Sequence, residues 1–318
     1  MMKKRIMLLA LAALALLCLC ACGKNDESRK LKIVTTVFPA YDWVKEILGD
    51  NPGEAEVTLL ANSGVDMHSF QPTAEDILKI STADVFIYVG GESDAWVKDA
   101  LKNVTNKSQV TINLLQILGT SAKTEETVEG MEDTEEDAGY DEHIWLSPKN
   151  ARTLVSEIAK VFSLLDEENK PAYSHNTFYY QLRLATLQGD YEALGERAAG
   201  GTVLFADRFP FRYLMDDCGI KYYAAFSGCS AETEASFKTI AFLAGKVDEL
   251  GLPAVLIIDG SDRRLAETII ENTRSKDQKI LTLNSMQSVT SADIANGAHY
   301  TDIMAENYMV LKEALGLE

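Results

Sequence analysis

Short β-branched runs alternate with helical periodicities twice over in this chain, four runs before residue 116 and four after residue 201. The runs are 31–37, 56–61, 85–89 and 110–115, then 202–206, 221–226, 254–259 and 279–284. Apolar spacings of three and four mark helices over 40–48, 74–81, 232–250, 264–273 and 301–315. A strand followed by a helix returns to the same end of the sheet, so strands in this order pair in parallel. The fold class expected is α/β: two lobes, each a mainly parallel four-stranded sheet flanked by helices. Pro171 suits a first helical turn, the pattern runs on to Ala198, and Gly200-Gly201 ends it. At ~1.5 Å per residue this helix is about 40 Å long, enough to run along both lobes. Tyr179, Leu182, Leu184, Leu187, Tyr191 and Leu194 form the stripe expected to be buried. The boundaries that follow are an N-terminal lobe at 31–165 with an acidic loop at 123–142, a linking helix at 166–199 and a C-terminal lobe at 200–318. A helical joint is stiff, so little closure is expected on binding.

Lys3, Lys4 and Arg5 precede an apolar run at 6–19, too short to span a bilayer comfortably and of the form of a secretion signal. It ends in Leu19-Cys20-Ala21-Cys22-Gly23, which resembles the bacterial lipoprotein signal. That resemblance implies a signal peptide at 1–21, lipidation of Cys22 and a polar tether over 22–30. Losing residues 1–21 removes three basic residues and no acid, moving the net charge from -18 to -21. Such a surface disfavours nucleic acid and anionic membranes and favours cations. Membrane attachment therefore falls to the lipid. Cys218 and Cys229, with a strand-like run between them, are expected to be free thiols.

Four histidines are candidates for chemistry. His68 follows the second strand in Gly64-Val65-Asp66-Met67-His68, and His143 stands in Asp141-Glu142-His143-Ile144-Trp145 before a helix starting near Asn150. Both are at loop positions of the kind where open α/β sheets place ligands. Imidazole suits Zn²⁺ and its neighbours, and carboxylates extend the range to Mn²⁺. His175 and His299 sit among polar neighbours on helices and read as surface residues. Residues 125–142 contain ten acids and neither Lys nor Arg. That run reads as a mobile surface loop, either merely solvated or collecting cations beside the site.

Together the two histidine motifs resemble those of the cluster A-I substrate-binding lipoproteins of zinc and manganese ABC importers. Thr35-Thr36-Val37-Phe38-Pro39, the long helix, the acidic loop and the segment from Tyr300 to Asn307 extend the resemblance over the mature chain. It implies that His68 and His143 are metal ligands, that Zn²⁺ (or Mn²⁺) is the cargo, and that a membrane permease of an ABC transporter is the partner. It also implies a lipid-anchored, extracytoplasmic position, and a monomer is expected. The family's third ligand, His or Glu, falls on Arg208, five residues before Tyr213, and an arginine stays protonated and binds no metal. Asp207 is the neighbouring carboxylate. The fourth ligand falls on Asn284, with Asp259 as a substitute.

No HExxH, GxSxG or P-loop is present, so no enzyme is expected. Glu142, adjacent to His143, is expected to turn away, and Cys229 to be a small buried residue with no His near it in sequence. Trp145 is expected beside the cleft. The rival reading is an adhesin or scaffold of the same fold that has lost tight metal binding through Arg208 and Asn284.

Overall fold

The computed structural model describes residues 30–50, 55–131, 139–230 and 234–317. The signal peptide and Cys22 lie outside the described residues. None of the described helices is long and apolar enough to cross a membrane.

The first sheet is built from β1 (Leu31–Thr35), β2 (Ala55–Leu59), β3 (Val85–Tyr88) and β4 (Val110–Asn113), in the order β2-β1-β3-β4. The second repeats that order as β6-β5-β7-β8, from β5 (Thr202–Phe209), β6 (Lys221–Ser227), β7 (Ala254–Ile258) and β8 (Lys279–Leu283). All pairings are parallel. In each sheet the first strand lies centrally, so the connections diverge on either side of it and leave a crevice at the carboxyl ends. The helices of the first half are α1 (Phe38–Leu48), α2 (Ala74–Thr82), α3 (Val97–Ala100), α4 (Leu114–Leu118) and α5 (Pro148–Leu165). Next comes α6 (Lys170–Ala198), followed by α7 (Arg212–Cys218), α8 (Phe237–Leu250), α9 (Arg264–Glu271), α10 (Ser291–Ala295) and α11 (Tyr300–Ala314).

Several element ends differ from the sequence reading, and three of them have a clear local setting. Strand β1 stops at Thr35, because Pro39 sets the first turn of α1. Helix α8 begins at Phe237, where the Ser236 hydroxyl accepts the Thr239 N–H as N-cap. Strand β5 continues to Phe209, so Asp207 and Arg208 lie in the strand, past a register shift after Phe205.

Helix α6 joins the halves. Its buried residues are Tyr173, Tyr180, Leu184, Leu187, Tyr191 and Leu194. Tyr179 and Leu182, expected in the stripe, are 56% and 50% exposed. Tyr179 stands about 100° round the helix from Tyr180, and Leu182 about 160° from Leu184, because each residue turns the helix by about 100°. Asn176 donates to the Ile47 carbonyl of α1 at 3.1 Å, and Tyr191 donates to the Met304 carbonyl of α11 at 2.7 Å. Where α6 meets α7, a Cβ on Gly195 would lie 1.9 Å from the Cys218 carbonyl oxygen, so only glycine permits this approach.

One apolar cluster runs from Ile33 and Trp43 through Trp145, Tyr180 and Leu194 to Phe205, Leu256 and Leu311. It joins both sheets and α6 in a shared core. Two smaller clusters fill the outer layers, one around Leu204, Leu243 and Ile269 and the other around Val34, Ile80 and Phe86.

Candidate metal site

His68 is carried by a short 3₁₀ turn (Met67–Ser69) after β2, capped by the Asp66 carboxylate, which accepts the His68 N–H at 2.9 Å. His143 opens another (Ile144–Leu146) just before α5. The two rings meet across the cleft floor with their Nε2 atoms 3.1 Å apart. Two imidazole nitrogens bound tetrahedrally to one zinc at about 2.05 Å lie roughly 3.3 Å from each other. The pair thus stands within a few tenths of an ångström of a shared-ion geometry.

Both Nδ1 atoms are occupied. His143 Nδ1 meets Asp141 Oδ1 at 2.9 Å, and the same oxygen accepts the His143 N–H. His68 Nδ1 meets the Ser93 hydroxyl at 2.7 Å, and that hydroxyl in turn meets the Glu142 carboxylate. Partners on Nδ1 fix each ring so that Nε2 would be left for a metal ion. Burial, His143 and the Arg208 charge push the His68 pKa down to about 3 against the opposing pull of Asp66, so His68 is neutral at every physiological pH. Burial alone would lower His143 as well, but the Asp141 carboxylate outweighs it and the pKa rises.

The acids next to His143 are not a solvated run. Asp141 and Glu142 are each 1% exposed. The base of the acidic loop is a short ladder in which Glu125 N–H donates to the Gly139 carbonyl and Asp141 N–H to that of Lys123. These pairings turn Glu125, Asp141 and Glu142 inward. Residues 132–138, the centre of the loop, lie outside the described residues. Glu142 accepts the Ser93 N–H at 2.9 Å and so points at the loop that follows β3.

The carboxyl ligands expected from the C-terminal lobe are engaged elsewhere. Asp207 accepts the N–H of its own neighbour Arg208 at 2.8 Å and that of Ile258 at 3.1 Å, the second of which ties its carboxylate to β7. Asp259 accepts from Ser285 N–H, Ser285 Oγ and Ser288 Oγ at 2.5 to 2.9 Å. Asn284 shapes its own turn through Met286 N–H and pairs with Asn307 of α11. Asp207 and Asp259 line the cleft, of about 1160 Å³, but neither joins the histidines in a group whose ligand atoms lie within 4.8 Å of one another. Arg208 reaches over to the other lobe, its Nη2 donating to Asp66 Oδ2 at 2.6 Å. Burial would raise the Asp66 pKa, but the guanidinium overrides it and holds the carboxyl below its usual range. The side chain that the resemblance aligns with a third ligand thus clamps the turn that carries His68.

Two residues not assigned to the site from sequence do approach the histidines. Cys229 Sγ lies within 4.8 Å of a ligand nitrogen of both His68 and His143, and a Glu125 oxygen lies that close to His143 and Asp141. The signal available in sequence was position alone, since Cys229 follows the end of β6 on the side where the crevice opens. His299 is at the N-cap of α11, its Nδ1 3.1 Å from Asp42, and His175 is exposed on α6. Trp145 is fully buried, with its ring centroid 5.5 Å from that of His143.

Twin parallel α/β lobes joined by a helix, with two histidines meeting beside the crevice between them, have the architecture of a helix-linked substrate-binding protein. The chain belongs to the family described as zinc-uptake complex component A, periplasmic, whose model matches residues 33–314. That family is one of solute-binding transport proteins and not of enzymes. The chain is 31% identical over 321 residues to the zinc-binding lipoprotein AdcA of Streptococcus pneumoniae strain R6, covering 99% of this chain but 62% of that protein. To the high-affinity zinc uptake system protein ZnuA of Bacillus subtilis it is 28% identical, over 90% of this chain and 88% of that one. The Zn(II)-bound ZnuA-like domain of S. pneumoniae AdcA superposes with a TM-score of 0.71 at 28% identity, covering 90% of this chain and 99% of that domain.

Proposed function

We propose that this protein captures a zinc ion between its lobes outside the cytoplasm and delivers it to the permease of an ABC importer. The observation that carries the reading is the convergence of His68 Nε2 and His143 Nε2, 3.1 Å apart, with each Nδ1 held by a partner. Their neighbours suit a cation, since Asp141 and Glu125 add negative charge where the ion would sit. The relatives described above are zinc proteins by name, and their names support zinc as the cargo. Lipidation at Cys22 would keep the binding body close to its permease and supply the membrane attachment that an acidic surface cannot. The adhesin reading needs a disabled site, whereas here both histidines remain and face one another.

The test is a thermal melt of metal-stripped protein with and without Zn²⁺. A free zinc concentration 1,000 times Kd contributes about 4 kcal/mol to stability, which raises Tm by several degrees. His68→Ala and His143→Ala should melt like the stripped wild type and no longer respond to zinc. A zinc response unchanged in both variants rules out this site.

A further inference from the structure

The cleft offers the ion a third side chain. Strand β6 ends at Ser227, and the chain turns at once, with Ser230 N–H donating to the Ser227 carbonyl. Gly228 lies at that turn, where a Cβ would stand 3.1 Å from two atoms of the His143 ring and 2.9 Å from the Phe209 carbonyl oxygen. The absence of a side chain lets the turn press against His143, and Cys229 is thereby delivered to the histidine pair. His68 Nε2 or Nδ1, His143 Nε2 or Nδ1 and Cys229 Sγ lie within 4.8 Å of one another, and Cys229 lines the cleft. Cys218, by contrast, is packed in the shared core.

We propose that Cys229 is a direct ligand of the cargo ion, forming a two-histidine, one-thiolate set with His68 and His143 that stands in for the ligand position Arg208 has given up. The inference rests on the cleft being a metal site, as proposed above. Two features of the structure make it specific. Arg208 is tied to Asp66, and Asp207 and Asp259 spend their oxygens on hydrogen bonds, so the C-terminal lobe has no carboxylate beside the pair among the described residues. Cys229 is then the C-terminal lobe's contribution, and with it the ion is held from both lobes. On binding, the Sγ–H bond is exchanged for an Sγ–metal bond, and the proton leaves to the Glu125 carboxylate that faces the thiol. A thiolate in the set favours zinc over manganese, because soft sulfur suits the former and hard oxygen donors the latter.

Cobalt titration of the metal-stripped full chain reads the ligand directly, because thiolate-bound Co²⁺ shows a near-ultraviolet charge-transfer band that imidazole and carboxylate do not produce. The expected result is such a band saturating at one equivalent, chased out by Zn²⁺ and untouched by an equal concentration of Mn²⁺. Cys229→Ser should lose the band and bind Co²⁺ at least about tenfold more weakly, since even outer partners of a metal site are worth that much. Cys218→Ala should keep it, and His68→Ala, which leaves every cysteine in place, should lose it. The last variant keeps the test decisive if Cys229→Ser does not fold. Stoichiometric cobalt binding with no charge-transfer band, or with a band that persists in Cys229→Ser, overturns the thiolate ligand while leaving the metal site standing. Failure of the wild type to bind either Co²⁺ or Zn²⁺ overturns both.

Discussion

At the scale of single residues, the site depends on groups that never touch the ion. Asp141 accepts from both the backbone and the ring of His143, so it sets the direction of that lone pair. Asp141→Asn keeps the size but removes the charge, and zinc affinity should fall by about 10–100-fold in a competition titration, with the fold unchanged. A second carboxyl reports on stability. Asp94 is buried beside Gly90, whose N–H it accepts at 2.9 Å, and burial pushes its pKa up to about 7. Its folded value lies above its unfolded one, so the contribution to stability is fully present below about 4 and is lost as pH rises through about 7. Over that window the loss is of order 4 kcal/mol at about 1.36 kcal/mol per pKa unit. Asp94→Asn keeps the acceptor for Gly90 and should flatten the wild type's decline. Urea unfolding of both proteins at pH 4.5 and pH 8 checks it; parallel declines would contradict the assignment.

At the scale of elements, helix α6 sets the geometry, and its fit is close. Gly195→Ala places a methyl against the Cys218 carbonyl and should destabilise the protein by about 1–3 kcal/mol, the usual cost of overpacking, measurable in a denaturant titration. The same element shows what the sequence conceals. The existence and length of α6 follow from Pro171, the periodicity and Gly200-Gly201. Its buried face does not, because aromatic and leucine side chains occur on two sides, and only the layers above and below choose Tyr180 over Tyr179. Parallel pairing and the number of strands per lobe were legible, since strand–helix alternation leads to both. The end of β5 was misread at Asp207 for a related reason. A strand-to-loop boundary at 206 would have freed its carboxylate, whereas β5 continues through a register shift and spends it on backbone N–H groups. Cys229 was hidden because its partners are far away in the chain and meet it only through the turn at Gly228.

At the scale of the whole molecule, the two lobes behave as one body. They share the central core, and Arg208–Asp66, Tyr213 to the Asp141 carbonyl and Trp145 to the Ser285 carbonyl hold the cleft from opposite sides. Far-ultraviolet circular dichroism and tryptophan fluorescence should therefore report one coincident unfolding transition; two separated transitions would show that the lobes fold independently. The account predicts that a cleft held in this way changes little in shape on binding. The central claim is that the paired histidines hold zinc, and calorimetric titration of Zn²⁺ into the metal-stripped protein tests it most directly. The account predicts one saturable site per chain in the wild type and no such site in the His68→Ala/His143→Ala double variant. A wild type that takes up no zinc, or a double variant that binds it as the wild type does, would contradict the account.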